Sequence, residues 1–303
     1  LLARVDGVYQ AAMRPLAFGE AELSGAAAFG GGAGSSSSRE GQYAHHYNTN
    51  IQENPSEGMA RTKLKRLMRE LGKLGQSGED GEGALPVNAE ASVFMVRDEN
   101  RMDVLKCLIS GPADVLGPSE TPYAGGLFEF HVFIPPDYPQ VSPLVNLQTT
   151  GDGTFRFNPN LYSDGKVCLS LLGTWHGEGW VVPTAGNANS GSTILQVLVS
   201  IQSIIMVSKP YFNEPGYEAS AGTPAGEERS RDYNENIRLH TMRHAMRDVL
   251  RRPPYGMESV VRKHFLLTRP LLERQLARWL DECKDGSRKK GMERAYVEIM
   301  DLL

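Results

Sequence analysis

Cys168 is the thiol whose neighbours suit chemistry. It lies in residues 155 to 172, FRFNPNLYSDGKVCLSLL, just after the turn Ser163-Asp164-Gly165-Lys166, and it opens the apolar run Leu169 to Leu172. Eight residues upstream stands Asn160, the last of a tight polar segment, Asn158-Pro159-Asn160. A thiol beside an exposed glycine turn can attack a partner's carbonyl, and a nearby amide can donate to the oxyanion that forms. The same apolar run suits a buried structural cysteine, the common fate of a free thiol. His176 would allow a cysteine hydrolase with Cys168, but the eight-residue spacing is not a signature of that chemistry. A phosphate loop is excluded, because Asp164-Gly165-Lys166-Val167 lacks the upstream glycine spacing and the final Ser or Thr.

The surrounding text resembles the catalytic core of ubiquitin-conjugating enzymes. That family's hallmark is His-Pro-Asn, a short loop, then a cysteine followed by leucine. Here those positions are Asn158-Pro159-Asn160 and Cys168-Leu169. The runs NPNLYSDGKVCLSLLGTWHG and KPYFNEPGYE are similar to a subgroup of long, atypical members in which asparagine replaces the motif histidine. The resemblance runs from about Ser92 to Glu218 and, more weakly, to about Pro254. It implies an α+β fold with an N-terminal helix, a four-stranded antiparallel meander, an active-site loop and C-terminal helices.

The resemblance also implies the chemistry. Cys168 would accept ubiquitin as a thioester from an activating enzyme and yield it to a lysine on a substrate protein. No metal or cofactor is implied, because ATP is spent by the activating enzyme. Asn160 would stabilise the oxyanion or tie down the loop backbone, and one amide can do both. Losing one oxyanion donor typically costs on the order of 100-fold in rate. Glu214 falls where the family carries an acid that orients the incoming lysine. Long members often combine conjugating enzyme and ligase in one chain, and a separate ligase is the other arrangement. A ubiquitin-like modifier in place of ubiquitin also stays open, as does a non-catalytic ubiquitin-binding module, although modules of that kind lack the cysteine. Three departures stand out: Asn158 for the motif histidine, Gln140 where common members dock ligases with an aromatic, and an insertion between Trp180 and Ser192.

The elements that must position these residues are legible from periodicity. Over Arg61 to Leu74, Leu64, Leu67, Met68, Leu71 and Leu74 recur at helical spacing and predict one apolar stripe. Arg61, Lys63, Lys65, Arg66 and Arg69 line the other faces. Such a basic face is solvated by default; the resemblance makes it a docking surface for the activating enzyme. Ser92 to Val96, Val104 to Ile109, Leu127 to Ile134 and Leu144 to Gln148 read as strands, divided by Gly- and Pro-marked turns. Phe128, Phe130 and Val132 alternate with Glu129 and His131, which puts His131 on a solvent face and leaves Cys107 as core filler. Thr193 to Val207 reads as a buried helix capped by Ser192. Asp232 to Leu250 and Glu258 to Cys283 also read as helices, with a restart at Pro270 after Thr268.

Residues 1–58 read as an extension with a Gly/Ser-rich linker at Gly25 to Ser38, 59–252 as the catalytic core, and 253–303 as a helical extension. His45-His46, in the aromatic run Tyr43 to Tyr47, could dock on the core or bind a metal, although paired histidines without a nearby third ligand are more often surface residues. A formal net charge of −4 argues against bulk binding to nucleic acid, and no apolar stretch is long enough to span a membrane. Three scattered cysteines fit a reducing compartment, so the cytoplasm or nucleus is expected. The opening Leu1, in place of Met, fits a piece of a longer protein.

Overall fold

In a computed structural model, residues 2–24, 44–56, 59–75, 85–113, 120–184 and 190–303 are described; the Gly/Ser-rich linker lies outside them. Helix α1 (Leu2–Met13), strand β1 (Phe18–Ala21) and the short α2 (Asn48–Glu53) precede α3 (Arg61–Leu74). Strands β2 (Val93–Asp98), β3 (Val104–Ser110), β4 (Leu127–Phe133) and β5 (Leu144–Leu147) follow. Then come α4 (Ile194–Ser200), which continues as a π turn (Ile201–Ile205), and α5 (Pro224–His240), which runs through a π segment (Thr241–Asp248) into α6 (Val249–Arg251). Helices α7 (Glu258–Glu282) and α8 (Gly286–Leu302) complete the chain.

The predicted meander is present, as β2 to β5 pair antiparallel in sequence order. A fifth strand was not foreseen. β1 adds to the β2 edge in parallel, with Phe18 opposite Met95. One face of the sheet carries Met95, Cys107, Phe128, Phe130 and Val132 into a core with Leu67, Leu71, Val197 and Ile201. The other face carries Phe94, Val96, Leu108 and Phe133 into a second core with Tyr9, Met13, Phe265, Trp279 and Ile299. The sheet is therefore covered on both sides, and the second cover comes from the two ends of the chain.

That cover corrects the reading of His131, which is 3% exposed rather than on a solvent face. Its Nδ1 accepts from the His46 backbone N–H at 2.9 Å, its Nε2 lies 3.0 Å from Glu129, and the His45 ring stacks on it at 4.4 Å. The His45-His46 segment thus docks on the sheet. Alternation alone cannot tell a polar face left to water from one that a distant segment will cover.

Helix α3 is rotated from its predicted stripe. Leu67, Leu71 and Leu74 are buried, but Leu64 and Met68 are 37% and 56% exposed, and Lys63, Arg66 and Glu70 take their place inside. Lys63 Nζ donates to Asp103 Oδ2 at 2.7 Å and to the Ile134 carbonyl at 2.8 Å, and Arg101 Nε donates to Asp103 Oδ1 at 2.8 Å. Burial pushes the Asp103 carboxyl up, but hydrogen bonds and charge from Arg101 and Lys63 outweigh it and hold the group below its ordinary value. Asp103→Ala leaves two buried cations without their anion, at an expected cost of about 3–5 kcal/mol. A carboxylate with a depressed folded pKa contributes above its unfolded value, near 4, and loses that contribution as pH falls further. Urea melts should therefore show a large gap between wild type and Asp103→Ala at pH 7 that closes toward pH 3; a constant gap would refute the assignment.

Three helix boundaries also differ from their expected places. The cap of α4 is Thr193, whose hydroxyl accepts from the Gln196 N–H while the Gln196 side chain accepts from the Thr193 N–H. Ser192, the predicted cap, instead accepts from the Val181 N–H. Helix α5 starts at Pro224, capped by Thr223, ahead of Asp232. Pro270 lies inside α7 rather than starting a new helix. Pro270 and Leu266, four residues earlier, both face solvent, so the carbonyl that loses its helical donor can turn to water.

Candidate active site

Asn158, not a histidine, fixes the turn that precedes Cys168. Its side chain is fully buried. Nδ2 donates to the Tyr123 hydroxyl at 3.0 Å and to the Ile205 carbonyl at 2.8 Å, where the π turn of α4 ends. Oδ1 accepts from the Asn160 N–H at 2.8 Å and from Asn213 Nδ2 at 3.3 Å. Tyr123 in turn donates to the Phe157 carbonyl at 2.9 Å, and Phe157 packs edge-on against Phe128 at 5.1 Å. The turn is thereby pinned to the sheet and to α4 with both ends of the Asn158 amide in use.

Asn160 and Cys168 are brought together by two reciprocal bonds. The Cys168 N–H donates to the Asn160 carbonyl at 2.9 Å, and Asn160 Nδ2 donates to the Cys168 carbonyl at 2.8 Å. The loop between them reverses at Gly165, with φ +85°, where a Cβ would lie 2.2 Å from Asn146 Oδ1 and 2.3 Å from the Leu147 carbonyl. No side chain fits there. Beyond the cysteine, Thr174 accepts from the Leu169 N–H at 3.0 Å and donates to the Val167 carbonyl at 2.7 Å. Cys168 is 3% exposed, yet it lines a cleft of about 260 Å³ with Asn160, Ser170, Trp175, His176 and Ile204. The arrangement presents a thiol at the floor of a cleft on a loop whose backbone is fixed from both sides.

The other candidates divide clearly. Glu214 Oε2 accepts from Arg156 Nη2 at 3.3 Å, and among the described residues its side chain reaches the Asn158–Asn160 turn through that arginine. His176 is exposed, with its ring 5.1 Å from Trp175, and among the described residues no hydrogen bond orients it as a base. Cys107 is fully buried in the core and burial pushes its thiol up; burial and the Glu235 carboxylate do the same to Cys283. Neither is placed to supply a thiolate. Arg156 and Tyr123 escaped the sequence reading. Arg156 sits between two phenylalanines in Phe155-Arg156-Phe157, but a cation among aromatics does not tell which carbonyls it will meet.

The basic helix face needs a correction. Of Arg61, Lys63, Lys65 and Arg66, only Arg61 and Lys65 are exposed. Lys63 is held by Asp103, and Arg66 is held by Glu70 and by the Ser190 and Ser192 carbonyls at 3.3 and 3.0 Å. Lys65 and Arg69 border an open groove of about 580 Å³ whose opposite wall is Pro136, Asp137, Pro139 and Gln140. The insertion after Trp180 is closed at its base by the Ser192 N–H donating to the Val181 carbonyl at 2.8 Å. It is roped to the same wall by Trp180 Nε1 donating to the Pro139 carbonyl at 2.8 Å. Among the described residues no helix is long and apolar enough to cross a membrane.

Comparison with known proteins finds matches along most of the chain. The family model described as ubiquitin-conjugating enzyme matches residues 82–241, more than half of the chain. Mouse "Dual E2 ubiquitin-conjugating enzyme/E3 ubiquitin-protein ligase BIRC6" is 46% identical over 253 residues, which are 82% of this chain and 5% of that protein. Its human counterpart is 44% identical over the same length. "Probable ubiquitin-conjugating enzyme protein 17" of Caenorhabditis elegans is 44% identical over 231 residues, 75% of this chain and 29% of that protein. The chain therefore spans only a small part of these relatives. With an α+β sheet-and-helix frame, the Asn158–Asn160 turn bonded to the cysteine loop and a family match across both, the chain belongs to the ubiquitin-conjugating enzymes, transferases that carry their cargo as a thioester.

Proposed function

We propose that Cys168 is the acceptor of ubiquitin, taken from an activating enzyme and passed to lysines of substrate proteins. The observation that carries this reading is the reciprocal Asn160–Cys168 pairing at the floor of the cleft. In the first step the Cys168 thiolate attacks the thioester carbonyl of the incoming ubiquitin. A new S–C bond forms and the activating enzyme's thiolate leaves, so the exchange is nearly isoenergetic and needs neither metal nor redox partner. In the second step a lysine amine attacks the same carbon, the Cys168 thiolate leaves, and the amine's proton passes to solvent. Catalysis here consists of positioning the amine and stabilising a tetrahedral oxyanion. Asn160 holds the loop and offers its amide, while Glu214 orients the lysine.

Arg61 and Lys65 on α3, with the adjoining groove, form the surface for the activating enzyme. The chain combines conjugating enzyme and ligase, as the names of the dual E2/E3 relatives have it for those proteins, a reading supported by Gln140 and the roped insertion on the groove wall. Three free cysteines accord with work in the cytoplasm or nucleus. The test is charging: protein, ATP, ubiquitin and an activating enzyme, run on a non-reducing gel. A reductant-sensitive adduct supports the reading. No adduct with ubiquitin but one with a ubiquitin-like modifier reassigns the cargo, and no adduct with any modifier leaves a binding module.

A further inference from the structure

We propose that Arg156 is a positioning residue for lysine transfer, clamping the loop that carries Glu214 onto the turn that precedes Cys168. The inference deepens the conjugating reading above and rests on it. One guanidinium serves three groups. Nε donates to the Asn158 carbonyl at 3.2 Å, and Nη2 donates to the Pro159 carbonyl at 2.6 Å and to Glu214 Oε2 at 3.3 Å. Its central carbon, Cζ, lies over the Tyr162 ring, 4.2 Å from the centroid. Asn158, Pro159 and Tyr162 all belong to the stretch that shapes the Cys168 loop, whereas Glu214 belongs to the loop after the 3-10 turn Pro210–Asn213. Next to Glu214, Asn213 makes its own bond to Asn158, so the two loops meet at adjacent residues, one through a neutral amide and one through a charge.

The exposure of the pair decides what it is for. The Arg156 and Glu214 side chains are 40% and 37% exposed, and an ion pair so open to water adds little stability. What it adds is orientation. A carboxylate that must orient an incoming lysine amine loses effectiveness if it wanders by an ångström, and Arg156 fixes it relative to the backbone that fixes Cys168. Arginine is required because one guanidinium can bond two carbonyls and a carboxylate while its Cζ sits over a tyrosine ring; a lysine offers a single point charge.

The experiment is a double-mutant cycle on single-turnover discharge of charged protein to free lysine, with charging measured alongside. Arg156→Ala and Glu214→Ala are each expected to slow discharge about tenfold and charging no more than about twofold, and the double variant to be no slower than the slower single. Arg156→Lys should recover part of the loss. Additive effects, or charging and discharge falling together, would overturn the positioning role. Hydrogen exchange on the uncharged protein reads the clamp itself: Arg156→Ala should exchange faster in both 157–160 and 210–217, and Glu214→Ala chiefly in 210–217. Unchanged exchange in Arg156→Ala would also overturn it. Failure of the wild type to charge would sink the conjugating reading, and the exchange data would still decide whether the clamp exists.

Discussion

Cys168→Ser is expected to exchange the reductant-sensitive ubiquitin adduct for a reductant-resistant one, and Cys168→Ala to abolish the adduct. The serine hydroxyl occupies the floor of the same cleft, and the backbone bonds of residue 168 to Asn160 do not involve the side chain. The loop should therefore keep its shape and the chemistry alone should change. An oxygen nucleophile forms an ester, which thiols do not cleave and which a lysine amine attacks far more slowly than a thioester. Transfer to lysine should fall by about 1,000-fold or more, since the nucleophile itself is replaced. Cys107→Ser and Cys283→Ser serve as controls: both thiols are buried and held protonated, so charging should survive wherever the variant folds. Charging that persists in Cys168→Ala would move the nucleophile elsewhere and end the assignment.

The sheet and the cysteine loop were legible in the sequence for local reasons. Apolar runs divided by Gly and Pro turns give β2 to β5 within a few residues. A thiol, a glycine at a position that admits no side chain and an asparagine eight residues upstream lie in one continuous stretch. What could not be read depends on partners far away in the chain. Lys63 and Arg66 look like a solvated face because the groups that take them inside, Asp103, the Ile134 carbonyl and the Ser192 carbonyl, lie 40, 71 and 126 residues on. Glu129 and His131 look exposed because their cover comes from His45-His46 and the helices at the two ends. Strand β1 is only four residues long and pairs parallel, without a turn to announce it. Arg156 shares this limit, since Glu214 is 58 residues away.

Asn160→Ala should be the second-largest lesion, because that amide stands at the only side-chain tie between the two halves of the cysteine loop among the described bonds to residue 168. Its Nδ2 carries two N–H groups, and one of them anchors the Cys168 carbonyl at 2.8 Å. Truncation removes that anchor and leaves a buried carbonyl without its side-chain donor, so the cysteine's backbone relaxes toward the cleft. It also removes a donor beside the carbon that turns tetrahedral. Both steps pass through a tetrahedral oxyanion, but the attacking thiolate in thioester exchange is a far stronger nucleophile than the lysine amine, so the loss should fall mainly on discharge. A drop of about 100-fold in discharge to lysine, with charging reduced far less, is the expected result. Asn160→Asp should be worse still, since an acceptor-only carboxylate would face the Cys168 carbonyl in place of a donor. The loop-tying and oxyanion roles separate by a stability measurement. If Asn160→Ala slows charging and discharge equally and lowers the melting temperature in step, the amide only ties the loop. If discharge falls much further than charging while the melting temperature holds, the donor acts on the transferring carbonyl.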